Sequence, residues 1–363
     1  MRHCLRGFSR IDLVALMALG TALVGAIAPV IASGTGQAGM VVSLSNMRRI
    51  GAGCASYEAD WGGRQWSCLE DRMADFGGDC ATYTVGHCPP QLILGYDAGN
   101  SALWGYWIRG GLPTCTGWPG SCATNWIVLM PITLGGTTGP ATDYGAGVGT
   151  WQFINARGVR EYIANRHYDP VFYAPNDVDA YDLVQGRLAG VAAEFHYPAD
   201  SYRISSYGLS PAAMWGPGTF RAPSAGGFVH PSENPAAFST PTASSARHPT
   251  LKTRLMERNW CQNPPTHLQA GQEAGRIPYA SNASGRSRPG CLFFDGHAAF
   301  VSMESFAADD AMAQMQTGDG LWSRDTAYGP LGVFGAQALD GFANSAHLLT
   351  IDGVQGRDLL HQR

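Results

Sequence analysis

The chain has 363 residues, of which 45% are hydrophobic and 14% charged, with a formal net charge of −4. That length can bury a sizeable core and allows two domains. The slight acidity excludes a basic surface for nucleic acid, and 47 glycines with 22 prolines indicate a turn-dense body rather than a helical bundle.

In chain order, residues 1–7 form a short basic leader, and an unbroken apolar run follows from Leu13 to Ala32. About twenty residues at roughly 1.5 Å rise each are enough to cross a ~30 Å hydrocarbon core. Arg2, Arg6 and Arg10 precede the run and no charge occurs from Leu13 to Met47. The positive-inside bias then holds the N-terminus in the cytoplasm and puts the body beyond the inner membrane. Asp12 lies at the membrane edge, where an unpaired carboxylate is costly. The junction Gly7–Phe8 precedes the apolar run, whereas a secretory signal is cut after its core. A plain signal anchor and a cleaved secretory signal compete with a cut at that junction.

Residues 8–32 are thus expected to be a transmembrane and assembly helix, and 33–60 its soluble extension. Val41, Leu44, Met47, Ile50, Cys54 and Tyr57 recur at three- and four-residue steps, while Arg48, Arg49, Glu58 and Asp60 lie mostly off that stripe. Gly62-Gly63 ends the helix.

Residues 61–150 are expected to be an insertion rich in cysteine and tryptophan. The chain has nine cysteines, and removing a leader that carries Cys4 leaves an even number suited to disulfides in an oxidising compartment. No CxxC or HxxxH spacing accompanies His87-Cys88, so no zinc site is expected. The tryptophans read as half-buried core or as a platform for a sugar or protein partner.

The region 151–305 is expected to hold the globular sheet. A helix is predicted over 151–165, a short strand over 171–173, and another strand over 203–208. A flexible surface loop is expected over 222–250 and a strand over 250–257. Two apolar runs joined at Asp295-Gly296, between Cys291 and Met303, predict a hairpin with a type I′ turn. Residues 306–363 form a C-terminal extension. Asp177/Asp179 and Asp309/Asp310 read as solvated carboxylate pairs.

The N-terminal junction resembles that of type IV prepilins and type II secretion pseudopilins. Gly7 and Phe8 match the processing site, Asp12 stands where those chains carry glutamate, and Pro29 where they carry a helix-kinking proline. Ser9 and Arg10 depart from the pattern. The segment Asn46 to Gly51, then Tyr57, then Gly62-Gly63 resembles the same family. Leu292-Phe293-Phe294-Asp295-Gly296-His297 resembles the closing hairpin of a pilin-like class named for a histidine nine intervening residues upstream of the Asp-Gly. Here that position is Gly285.

The resemblance implies an α+β, pilin-like fold: a long N-terminal helix packed on an antiparallel sheet, with a disulfide-rich insertion. It implies cutting by a prepilin peptidase after Gly7, methylation of Phe8, and pairing of Asp12 with the terminus of a neighbouring subunit. The expected function is a membrane-anchored structural subunit that assembles with like subunits into a pseudopilus or surface fibre, in the service of protein secretion. An anchored or secreted module binding glycan or protein through the Trp/Cys-rich insert is the rival, and an anchored extracytoplasmic enzyme of unrecognised type ranks third.

No enzyme is expected. GxSxG, HExxH and P-loop motifs are absent. No cofactor is expected either. Calcium is the ion that Asp319, Asp325, Asp340 or Asp352 could take, though no EF-hand spacing picks out a set.

Overall fold

The computed structural model describes residues 37–67, 93–97, 102–105, 131–132, 149–166, 168–177, 184, 205–258, 287–332 and 343–362. Within them the chain is α+β: helices combined with a small antiparallel sheet. Helix α1 runs over 37–60. Two left-handed glycines, Gly62 (φ 65°) and Gly63 (φ 84°), stop it, and the Gly63 N–H caps the Glu58 carbonyl at 2.6 Å. Strands β1 (Ile93–Asp97) and β2 (Ala102–Gly105) form a separate antiparallel ribbon inside the expected insertion.

The expected helix over 151–165 divides. A 3-10 turn at Thr150–Gln152 precedes helix α2 (Arg157–Ile163), which closes at Asn165 with φ 52°. The predicted strand over 171–173 is instead a 3-10 turn, Pro170–Phe172. Pro170 supplies its first helical residue and the Asp169 side chain accepts the Val171 N–H at 3.0 Å, so local capping outweighs β-branched propensity.

The main sheet has the order β3 (Tyr207–Leu209), β4 (Thr253–Glu257), β5 (Gly290–Phe293) and β6 (Ala298–Phe300), every pair antiparallel. A short helix α3 (Pro211–Met214) follows β3, and helix α4 (Met303–Thr317) follows β6. Strand β4 begins later than its sequence pattern because the N–H groups of Leu251 and Lys252 both bond the His248 carbonyl.

The hairpin β5–β6 forms where expected, but its turn is not type I′. Gly296 has φ 88° while Asp295 does not have positive φ, and Phe293 bonds both Gly296 (3.0 Å) and His297 (2.9 Å). Three residues, Phe294 to Gly296, therefore make the loop, with glycine in the left-handed place before the return strand.

The segment 222–250 lies at the surface but is wound into proline-initiated 3-10 turns at Pro223–Ala225, Pro231–Glu233 and Pro235–Phe238, with a further turn at Ala243–Ser245. Isolated bridges Arg64↔Thr242 and Phe220↔Phe228 pin it.

Helix α1 lies on one face of the sheet. A Cβ on Gly51 would sit 2.7 Å from Leu292 Cδ2, and one on Gly290 would sit 3.1 Å from Met47 Sδ, so the missing side chains set the approach. The register slips between Thr253 and Leu255, a bulge that lets both Arg254 and Leu255 turn to the helix side. Strand alternation sends Thr253, Met256, Cys291 and Phe293 to the other face. The C-terminal segment 343–362 closes that face, burying Leu348, Leu349 and Leu359 completely.

Candidate functional site

Two seams flank the sheet. At the α1 seam Met47, Ile50 and Cys54 are buried, while Val41 (68% exposed) and Val42 (46%) look outward. Ser43 Oγ donates to Glu257, whose carboxylate also accepts the Gly290 N–H at 2.8 Å. Asn46 Nδ2 donates to the Pro170 and Tyr173 carbonyls. Glu58, expected off the apolar stripe, is buried and ion-paired with Arg254. Burial pushes its carboxyl up, and the guanidinium opposes that shift. At the end of α1, Trp61 remains 48% exposed, stacked on Tyr57 (5.5 Å) and donating from Nε1 to Tyr162 Oη at 3.3 Å.

The other seam centres on Lys252, the one lysine of the chain. Its ammonium donates to Asp358 Oδ2 (2.9 Å), Ser210 Oγ (2.9 Å) and Thr350 Oγ1 (2.8 Å), with no solvent exposure of either charged group. Asp358 Oδ2 also accepts the Thr253 N–H (2.9 Å) and hydroxyl. Its Oδ1 accepts the His347 N–H (2.9 Å) and the Thr350 hydroxyl (2.5 Å). Burial alone would raise this carboxyl, but Lys252 and the two threonine hydroxyls bring it down to about 2. Burial lowers Lys252, with Asp358 working against the shift. His347 sits 2.8 Å from Thr253 Oγ1, holds φ 72°, and is pushed down by burial to about 3, so its ring is neutral. A fully satisfied charge pair of this kind fixes geometry, and loss of one partner strands the other.

The residues expected at the processing and assembly site, Gly7, Phe8, Asp12 and Pro29, lie outside the described residues. Asp295 and Gly296 are at the β5–β6 turn, where Asp295 Oδ1 pairs with His297 Nδ1 at 2.6 Å and the imidazole stacks on Phe293 at 4.2 Å. The pair lies at the surface, its side chains 26% and 27% exposed.

Several carboxylates read as solvated are buried and in use. Asp177 accepts the Ser206 hydroxyl (2.7 Å), Asp309 the Leu360 N–H (2.8 Å), and Asp310 the Leu321 N–H (2.7 Å) and Arg324. The Asp319 carboxylate accepts the Ser224 N–H (3.1 Å) and hydroxyl, and that of Asp325 accepts the Phe228 N–H at 2.7 Å. Burial raises Asp352, which Arg247 offsets and Asp319 reinforces. Asp179 and Asp340 lie outside the described residues. Among the described residues no group of three or more His, Cys, Asp or Glu side chains is placed to hold a metal.

Two expectations are corrected. Among the described residues no helix is long and apolar enough to cross a membrane. The run Leu13–Ala32 lies outside them, and α1 carries Arg48, Arg49 and Glu58. The expected pairing of the cysteines also fails where it is described: Cys54 and Cys291 are free and buried. Cys54 faces the sheet from α1 whereas Cys291 points to the opposite side, and burial raises both thiols. Each acts as a small apolar core residue. The other cysteines lie outside the described residues.

The Lys252 centre escaped the sequence reading because its members are scattered from Ser210 to Asp358. The signal present was a single lysine in a chain that otherwise uses arginine. Comparison with protein-family models, with curated proteins and with solved structures finds no match.

Proposed function

We propose that the chain is a pilin-like structural subunit, cut by a prepilin peptidase between Gly7 and Phe8 and assembling at the inner membrane with like subunits into a pseudopilus or surface fibre. The observation that carries this reading is α1. A long N-terminal helix lies along an antiparallel sheet and leaves its outer face, with Val41 and Val42, uncovered. The Asp-Gly hairpin supports it, since the segment that resembles the closing hairpin of a pilin-like class forms the antiparallel pair β5–β6 at one end of that sheet. Asp12 would pair with the amine of a neighbouring subunit, which offsets the cost of a carboxylate at the membrane edge.

Coexpression with a prepilin peptidase tests the reading. The product is expected to begin at Phe8, and Gly7→Leu is expected to block the cut. Asp12→Ala should be processed yet fail to cross-link into oligomers. A mature terminus after Ala32 overturns the assignment.

The exposed Trp61, stacked on Tyr57 beside Tyr162, favours the second reading, a module that binds a glycan or protein partner. Retention on a glycan array that Trp61→Ala abolishes, by a protein that forms no oligomers, selects it.

A further inference from the structure

The pair Lys252–Asp358 holds a primary amine against a carboxylate in a site closed to solvent. The nitrogen and carboxylate are 2.9 Å apart with neither side chain touching solvent, and Ser210, Thr253, Thr350 and the His347 N–H satisfy what remains of their hydrogen bonding. We propose that Lys252 and Asp358 condense in the folded chain to a side-chain amide, which ties the start of β4 covalently to the C-terminal segment. The proposal is independent of how the chain assembles.

The geometry supplies each part of the reaction. Thr350 Oγ1 lies 2.8 Å from Lys252 Nζ and 2.5 Å from Asp358 Oδ1, so it bridges the group that loses protons and the oxygen that leaves. One ammonium proton passes through the Thr350 hydroxyl to Oδ1, leaving a neutral amine and a neutral acid. The amine lone pair then attacks Cγ, the C–N bond forms, and the carbonyl electron pair moves onto Oδ2. The Thr253 N–H and hydroxyl hold Oδ2 at that moment, as an oxyanion hole does. A second nitrogen proton follows the same path to Oδ1. The C–Oδ1 bond breaks, one water leaves, and the third proton stays on the amide nitrogen. Atoms and electrons balance with no oxidant or co-reactant.

Two physical factors favour the forward direction. Fixing both groups in contact replaces an encounter in solution with an intramolecular step of high effective concentration. Exclusion of water from the product opposes hydrolysis. Burial also weakens the ammonium form of Lys252, which brings the nucleophilic amine within reach.

Mass spectrometry of the full chain, purified, denatured and reduced, tests this directly. Its mass is expected to be lower than its processed sequence by one water. A tryptic digest should contain a branched peptide joining 248–254 to 358–363, because an acylated Lys252 resists cleavage. Recovery of the linear peptide 248–252 as the main product overturns the proposal, and this readout needs no variant. Lys252→Arg should show the full mass. A one-water deficit that persists in Lys252→Arg would come from succinimide at an Asp-Gly pair such as Asp295-Gly296, and also overturns it. In a refolding time course Thr350→Val should form the bond roughly a hundredfold more slowly. An unchanged rate refutes the route through Thr350.

Discussion

Removing the carboxylate of Glu58 should destabilise the protein far more than its place on an otherwise polar helix face suggests. The Glu58 and Arg254 side chains are 11% and 9% exposed, and they bind each other across the seam between α1 and β4. Were the pair at the surface, its loss would cost about 0–1 kcal/mol. Because it is buried, Glu58→Ala leaves a guanidinium without its partner, and a broken buried pair costs about 3–5 kcal/mol. Glu58→Met combined with Arg254→Met should recover most of that loss, since burial penalises the ionised pair. The raised Glu58 pKa has the same origin. Its folded value lies above the unfolded one, so the folded chain binds the proton first as pH falls. This group therefore adds stability on acidification through its folded pKa and none well above it. Urea titration of the native chain, both single variants and the double variant measures the cycle, with a constant slope as the check on two-state unfolding. A Glu58→Ala loss below about 1 kcal/mol would refute the view that this pair is buried at the seam.

His347→Asn should flatten the acid side of the stability profile. The native ring titrates at about 3 against 6.5 when unfolded, so the unfolded chain alone binds the proton between those values, and stability present above pH 6.5 is lost on descent. Between pH 7 and pH 4 the loss corresponds to about 3 kcal/mol, read as the change in urea midpoint between those two pH values; equal slopes in native and variant protein would contradict it. Gly53→Ala should lower the thermal midpoint despite alanine's better helix propensity, because the new Cβ would clash with Ile163 Cγ1 and meet the Tyr162 carbonyl at 3.0 Å. The expected loss is about 1–3 kcal/mol, and a gain would show that α2 moves aside freely. Gly296→Val should cost roughly 1–3 kcal/mol in chemical denaturation because φ is 88° there, and Gly296→Asn clearly less.

Local periodicity carried the parts of the fold that could be foreseen. The stripe of Leu44, Met47, Ile50, Cys54 and Tyr57 gave α1 its buried face, although Val41 belongs to the exposed side. Alternating runs about Asp295-Gly296 gave β5 and β6. The failures arose where a side chain's partner is remote in sequence. Glu58 looked solvated because Arg254 is 196 positions away, and Asp310 looked solvated because Leu321 and Arg324 return to it after α4 has ended. Position in a periodic pattern identifies a face but not what lies opposite it. The type I′ turn failed for a smaller reason: an Asp-Gly pair also fits a three-residue loop in which only glycine is left-handed.

The burial of Lys252 leaves the described surface without a side-chain primary amine. Every long cationic side chain exposed there is an arginine, whose guanidinium stays charged at any working pH. Alkaline conditions that discharge lysine-rich surfaces would leave the cationic side chains of this one charged. Enzymes that acylate or conjugate lysine find no substrate on the folded body, and the chain is open to them only before it folds. Amine-directed dyes would mark the terminal amine alone, giving one fluorophore at a known place and an unlabelled globular surface.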